Sequence, residues 1–186
     1  MQPQANSQIT LRPQELPERL KGFFASCPFA CLINDALLLE NIGSGNWDAA
    51  IVALVLAWSM YYSGAPSEQE ESAKLLAFAH DRLLSRSWND GAADLYHLAI
   101  GLCLLARWFD LEQQARRKTV LYHLTGMAAR RYLELHKPAN VGAASQIELI
   151  MVDTCSCIIW LVASVNLLPA ISLDTECESL IECRPT

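Results

Sequence analysis

Segments that are apolar on every side alternate along this chain with segments that are apolar on one side only. Residues 48–62, 92–108 and 146–168 belong to the first kind, and residues 68–85 and 111–135 to the second. An all-round apolar helix is one covered on every side, whereas an amphipathic helix is half exposed. Since no strand-like alternation competes with this pattern, it predicts an all-α fold of helical hairpins in two layers, with inner apolar helices and outer amphipathic helices.

The amphipathic segments also predict which side chains face the core. In the first of them, Ser67 and Glu70 have the spacing of a capping box, and Gly126 inside the second allows a break. Shorter helices are expected over residues 15–25 and 29–40, separated by Cys27-Pro28. The predicted core positions are Leu75, Phe78, Ala79 and Leu83 in the first segment, and Val120, Leu121, Leu124, Met127, Ala128 and Leu135 in the second.

The length of 186 residues suits one domain. We expect a flexible N-terminal tail over residues 1–12, a single all-α domain over residues 13–172 and a C-terminal tail over residues 173–186. The apolar run at residues 149–168 is long enough to cross a membrane, but it contains Asp153, which costs about 3 kcal/mol at a bilayer centre. The sequence therefore predicts a buried helix there and no membrane span.

Composition restricts the partners and cofactors. The formal net charge is −6, and the two basic clusters, residues 116–118 and Arg130-Arg131, fit solvated helix faces. This balance argues against nucleic acid as a partner. The seven cysteines and four histidines have no metal-site or disulfide spacing, so no metal and no cofactor is expected. The cysteines fit reduced thiols in a cytoplasmic protein.

One polar group stands at the start of the second apolar helix. Asp90, Asp94 and His97 are spaced to share one helical face, and Asn89 precedes them. Carboxylates beside an imidazole can perform acid–base chemistry. The structural alternative is that Asn89 or Asp90 caps the helix, Asp94 interacts with the helix dipole and His97 bonds a neighbour.

A second polar position is Asp153, which lies among Leu149, Ile150, Met151 and Val152. A carboxylate in such surroundings is expected to be buried, with a raised pKa that suits a general acid. The alternative is a structural hydrogen bond or a helix cap.

The five tryptophans divide by their position in the hairpins. Trp47 and Trp88 lie near the ends of inner helices, where an indole can stack on a sugar ring or another ligand. Core packing is the expected role of Trp58, Trp108 and Trp160.

Three runs resemble the six-hairpin (α/α) barrel glycosidases of the unsaturated glucuronyl and rhamnogalacturonyl hydrolase type. They are Trp47-Asp48 to Tyr62-Ser63-Gly64 followed by residues 71–84, Trp88-Asn-Asp-Gly91 to Asp110, and Gln146 to Asp153-Thr154. The resemblance implies a partial α/α barrel. It also implies that Asp153 protonates the C4–C5 double bond of an unsaturated uronide, with Asp90 as the second carboxylate. The chain departs from that family in holding about three hairpins, half a barrel, and in having Ile150-Met151-Val152 before the aspartate.

Two functional hypotheses follow. The first is a hydrolase or lyase that acts on a sugar-like substrate through Asp153 and Asp90, with Asn89, Asp94, His97, Trp88 and Trp47 binding the substrate. The second is a non-catalytic helical module that binds a protein or an apolar ligand, or that oligomerises. The mean hydropathy of +0.18 favours a homodimer or a larger assembly in either case.

Overall fold

Six α-helices form nearly all of the described chain. The computed structural model describes residues 16–27, 30–33, 48–86, 91–136 and 145–182, and it describes their side chains between residues 20 and 165 except at Ser67 and Ala92. No β-strand occurs in these ranges, so the all-α prediction is confirmed. The helices are α1 (Leu16–Ser26), α2 (Ala49–Ser63), α3 (Pro66–Leu84), α4 (Ala92–Leu111), α5 (Ala115–Leu135) and α6 (Gln146–Glu182), with a 3₁₀ turn (Ala30–Leu32) after α1.

The predicted helix segments are confirmed within the described residues, with two differences at the margins. The segment at 29–40 is described only at residues 30–33, where it forms the 3₁₀ turn. The backbone of α6 continues as helix to Glu182, through most of the predicted C-terminal tail. The predicted N-terminal tail lies outside the described residues.

The chain divides into two compact units, residues 1–79 and residues 80–186. The boundary falls inside α3, which contributes most of its length to the first unit and its last turn to the second. The single-domain boundaries proposed from the sequence stay a prediction, and the two units are described separately below.

In the first unit, α1 packs closely against α2. Leu20, Phe23 and Trp58 are buried there. A Cβ atom on Gly22 would lie 3.2 Å from the Ser59 hydroxyl oxygen, so the glycine permits the close approach. The Asp48 side chain caps α2 by accepting a hydrogen bond of 2.7 Å from the Ala50 amide. Burial along α2 is almost continuous from residue 50 to residue 60, as its apolar pattern predicts.

The start of α3 differs from the predicted capping box. The helix begins at Pro66, so Ser67 lies in its first turn and does not precede it. Proline suits this position because the first helical N–H groups have no partner within the helix. Farther along, the buried Ser72 hydroxyl donates a hydrogen bond of 2.9 Å to the Ala57 carbonyl oxygen and so ties α3 to α2.

In the second unit, α4 is the central element and contacts both α5 and α6, while α5 and α6 also pack together. From Leu95 to Ala106 every residue of α4 is buried except His97. The last turn of α3 approaches α4 at Gly101, where an added Cβ would lie 2.7 Å from a terminal carbon of Leu83. The small residue thus sets this packing distance.

The buried face of α5 is not the face predicted from the sequence. Leu121 and Ala128 are buried as expected, but Val120, Met127 and Leu135 are exposed. The buried face instead carries small residues that face α6, and a Cβ on Gly126 would make an ordinary contact, 3.4 Å from Val162. The helix runs through Gly126 without a break. Its buried residues are Leu121, Tyr122, Thr125, Gly126, Ala128, Ala129 and Tyr132.

α6 begins at Gln146, as predicted, and is opened by a capping box that the sequence analysis did not identify. The Ser145 amide donates to a Glu148 carboxylate oxygen at 2.7 Å, and the Glu148 amide donates to the Ser145 hydroxyl oxygen at 3.2 Å. Two hydrogen bonds from Ser145 lower the pKa of the Glu148 carboxyl, and the bond from the backbone amide has a larger effect than the bond from the hydroxyl.

The prediction that α6 is buried on every side is wrong for its described side chains. Within Gln146–Val165 the buried residues are Cys155, Ile158 and Val162, and Trp160, expected in the core, is 76% exposed. Trp58 and Trp108 are buried as predicted. This 20-residue stretch has a mean hydropathy of 1.8, so by length and composition it is one described helix that could cross a membrane.

Candidate functional site

The site residues predicted from the sequence are only partly within the described chain. Trp47, Trp88, Asn89 and Asp90 lie outside it. Asp94 lies in the first turn of α4 with an exposed side chain, and His97 follows one turn later. Asp153 lies on α6.

His97 is mostly buried at the start of α4. Burial lowers the pKa of its imidazole to about 4, and the positive charge of Arg86 acts in the same direction. The Asp94 carboxylate raises the pKa but does not offset these two effects. The imidazole is therefore neutral at pH 7 and a weak base, able to donate or accept a hydrogen bond.

The segments that carry the predicted site do meet. The hydroxyl of Tyr96, next to His97, is close enough to the side chain of Thr154, next to Asp153, for Thr154 to lower its pKa, although burial has the larger effect and raises that pKa to about 12. The Tyr96 ring also lies 5.9 Å from the ring of Tyr132 on α5. Residues next to His97 on α4 and next to Asp153 on α6 are thus near each other.

The predicted burial of Asp153 is wrong, because its side chain is exposed. The reason is the direction in which α6 packs. The side chains it turns inward are Cys155, Ile158 and Val162, and Asp153 lies outside that face. Apolar neighbours in sequence do not bury a carboxylate when those neighbours are themselves partly exposed, as Leu149 and Met151 are.

Two ionisable groups beside this contact are buried and neutral. Burial raises the pKa of the Cys155 thiol to about 12, which leaves the thiolate essentially unpopulated at pH 7. Burial likewise raises the pKa of the Tyr132 hydroxyl far above its ordinary range. The Tyr132 oxygen has no hydrogen-bond partner among the described residues. Within the described chain, no three His, Cys, Asp or Glu side chains are placed to hold a metal ion.

A groove that the sequence analysis did not identify runs between the last turn of α3 and the first half of α5. We call it the α3–α5 groove. Its volume is about 520 Å³. It is lined by His80, Leu84, Phe109, Arg116, Arg117, Val120, Leu121 and Leu124. Leu84 and Val120 remain 46% and 54% exposed, so the groove presents apolar surface to solvent.

Some of the basic residues beside this groove form ion pairs with a carboxylate, and others do not. Arg107 and Lys118 both form ion pairs with the Asp110 carboxylate, and the Lys118 amino nitrogen lies 2.6 Å from it. These positive charges lower the pKa of the Asp110 carboxyl, and Lys118 has the larger effect. Arg117 instead places its guanidinium carbon 5.5 Å from the centre of the Phe109 ring, a cation–π arrangement. No carboxylate in the described ranges pairs with Arg116 or Arg117. Two guanidinium groups are therefore available at an apolar surface.

The sequence contained residues that line the groove, but it did not show that they form a concave surface. Arg116-Arg117 was assigned to a solvated face, and Val120, one turn later, to the core. An apolar residue one turn from two arginines indicates a mixed surface, yet only the position of Phe109 and Leu84 makes it concave. A smaller cavity of about 330 Å³ lies in the first unit, and its carboxylate, Glu68, accepts a hydrogen bond from Ser63.

Comparisons with known protein families, with curated proteins and with solved structures found no match for this chain.

Proposed function

We propose that this chain is a helical binding module whose α3–α5 groove takes a small amphiphilic anion, a ligand with an apolar chain and a carboxylate or similar acidic head. The observation that carries the proposal is the pairing of exposed apolar groove residues with the guanidinium groups of Arg116 and Arg117, neither of which has a carboxylate partner in the described chain.

The size and lining of the groove support an apolar chain as one part of the ligand. Small-molecule sites usually have volumes of roughly 300–1,000 Å³ and mainly apolar linings with a few polar groups. The volume of about 520 Å³ lies within that range. Covering Leu84, Val120 and the Phe109 edge removes apolar surface from water, which is favourable in proportion to its area.

The charges support an acidic head as the other part. A net charge of −6 disfavours the binding of anions over most of the surface. The neighbouring Arg116 and Arg117 make the surface locally positive, so anion binding is favoured there. Guanidinium groups bind carboxylates in a planar, two-bonded geometry. Lys118 is engaged by Asp110 and adds little to an incoming anion.

Calorimetric titration tests this proposal with dodecanoate and with dodecanol, both below the concentration at which they aggregate. We expect dodecanoate to bind more tightly. Replacement of both Arg116 and Arg117 by Gln removes charged hydrogen bonds of about 1.5–3 kcal/mol each and weakens dodecanoate binding at least about tenfold. Arg130→Gln, at an exposed position on the same helix, is the matched control and leaves binding unchanged.

A different substitution separates the apolar part of the site from its charges. Val120→Asp places a carboxylate in the groove and is expected to abolish binding of dodecanoate, while the exposed position leaves helix content unchanged. Equal affinity for dodecanoate and dodecanol, or binding that survives both the Val120→Asp and the double Gln replacements, would overturn the proposal.

Hydrolysis of an unsaturated uronide is the second candidate, favoured by the proximity of Tyr96 and Thr154, which are the sequence neighbours of His97 and Asp153. In this hypothesis Asp153 supplies the proton and His97, neutral at pH 7, orients the substrate. A panel of unsaturated uronides assayed with wild type and with Asp153→Asn tests it. No turnover by the wild type across the panel would eliminate the enzyme hypothesis.

A further inference from the structure

The cavity of about 330 Å³ in the first unit combines a carboxylate, serine hydroxyls and an aromatic ring. The residues that carry these groups are Ser26 of α1, Ser59, Tyr62 and Ser63 of α2, and Glu68 of α3. We call it the Glu68 cavity. It shares no lining residue with the α3–α5 groove, so an inference from it is independent of the function proposed for that groove.

We propose that the Glu68 cavity binds a small organic cation, a primary ammonium group on a short apolar body. An ammonium group has three N–H donors and no acceptor, so it needs several acceptors close together. The carboxylate and the serine hydroxyls of this cavity are such acceptors. Met60 and Tyr62 supply apolar surface in the same lining. The volume, at the lower end of the usual range of roughly 300–1,000 Å³, favours a small ligand.

The Glu68 carboxylate is the group that sets the charge of the ligand. Among the described residues that line the cavity, Glu68 is the one with an ionisable acid or base of ordinary charge at pH 7. The Ser63 hydroxyl donates a hydrogen bond to this carboxylate and so orients it. A carboxylate offers about four acceptor positions, and the bond from Ser63 occupies one of them. Hydrogen bonds between charged partners are roughly twice as strong as neutral ones, so a cation is preferred to an alcohol of the same shape.

Tyr62 brings a second group that attracts cations. Its ring stacks on the indole of Trp58, with ring centres 5.6 Å apart and an angle of 23° between the planes. Trp58 is completely buried, so the core of the first unit holds the orientation of the Tyr62 ring. A cation within about 6 Å of the centre of an aromatic ring is attracted by its negative face. The same ring can instead cover the apolar body of the ligand.

The charges around the cavity favour an organic cation over an anion or a metal ion. The net charge of −6 attracts cations over long distances. Glu70 and Lys74 on α3 pair with each other at 2.6 Å, and Lys21 of α1 does not line the cavity. The N-terminus of α3 disfavours a cation, but this effect is smaller than that of a charged hydrogen bond. No three metal-ligating side chains come together in the described residues, which argues against a metal ion.

Calorimetric titration of the full-length chain at pH 7 tests the charge of the ligand. The probes are 2-phenylethylamine, 2-phenylethanol and phenylacetate, which are similar in shape and are cationic, neutral and anionic. We expect the amine to bind at least tenfold more tightly than the alcohol, and phenylacetate to bind least. Glu68→Gln keeps the shape of the side chain and should weaken amine binding at least tenfold. Glu71→Gln, at an exposed residue of α3 that does not line the cavity, is the matched control and leaves binding unchanged.

Two further substitutions test the position of the ligand. Ser26→Trp fills the cavity from an exposed position and should abolish amine binding, whereas Ala25→Trp, exposed but outside the lining, should not. Tyr62→Phe keeps the ring and should keep the affinity, whereas Tyr62→Ala should weaken it. Circular dichroism checks that each variant retains its helix content.

Three results would overturn the proposal. The first is no binding of 2-phenylethylamine at millimolar concentration. The second is equal affinity for the amine and the alcohol. The third is amine binding that Glu68→Gln or Ser26→Trp leaves unchanged, which would place the amine elsewhere on the acidic surface.

Discussion

Replacement of His97 by Gln should remove a pH-dependent part of the protein's stability. In the folded chain, burial and the charge of Arg86 lower the pKa of this imidazole from its ordinary value of 6.5 to about 4. The unfolded chain therefore binds a proton at His97 between these two pH values, and the folded chain does not. Because stability falls with decreasing pH wherever the unfolded state binds more protons, His97 destabilises the fold as the pH drops from 6.5 towards 4.

The size of this effect follows from the same two values. Each pH unit between them corresponds to about 1.36 kcal/mol, so the full loss is at most about 3 kcal/mol and is complete below pH 4. At pH 7 the contribution is absent, because the imidazole is neutral in both states. Carboxylates with lowered pKa values, such as Asp110, also lose stabilising interactions on acidification, but they do so equally in wild type and variant.

The assay is urea denaturation of wild type and His97→Gln at a series of pH values from 7 to 4. We expect the difference between their unfolding free energies to shift by up to about 3 kcal/mol in favour of the variant as the pH falls. His123→Gln, at an exposed position on α5, provides the control and should follow wild type. Parallel wild-type and His97→Gln curves, or an NMR titration in which the His97 ring protonates near pH 6.5, would refute the reasoning.

Three further predictions concern packing in the second unit. Gly101→Ala should lower the unfolding free energy by about 1 kcal/mol, because overpacking against Leu83 costs about 1–3 kcal/mol and the gain in helix propensity offsets part of it. Gly126→Ala should raise the melting temperature, because its added Cβ makes an ordinary 3.4 Å contact with Val162 and only the propensity gain of up to about 1 kcal/mol remains. Tyr132→Phe removes a buried hydroxyl that has no hydrogen-bond partner in the described chain, so it should raise the unfolding free energy in chemical denaturation by about 1 kcal/mol. A destabilised variant would show instead that the hydroxyl forms a hydrogen bond.

Helix positions were predictable from the sequence because they depend on local interactions. The apolar pattern, the Asp48 cap and the break after Cys27 act within a few residues, and the boundaries of α2 and α4 follow them closely. The complete burial of the middle of α2 was predictable for the same reason, since a helix without a polar side needs cover on every side.

The sequence analysis identified the candidate site only in part. It named residues on the first turns of α4 and in the middle of α6, and the structure places Tyr96 and Thr154, their sequence neighbours, near each other. The groove at Arg116 and Arg117 was missed, because it requires residues from separate helices to form one concave surface.

The orientation of α5 and α6 was decided by tertiary packing. An apolar pattern states that a face can be buried but not which neighbour covers it. In α5 the face that packs against α6 includes Gly126, while Val120 and Met127 are exposed, against the pattern of large apolar residues. In α6 the side chains of Cys155, Ile158 and Val162 are buried, and Asp153 and Trp160 are in solvent. Sequence thus determined where this chain is helical, and the packing between helices determined which side of α5 and α6 meets water.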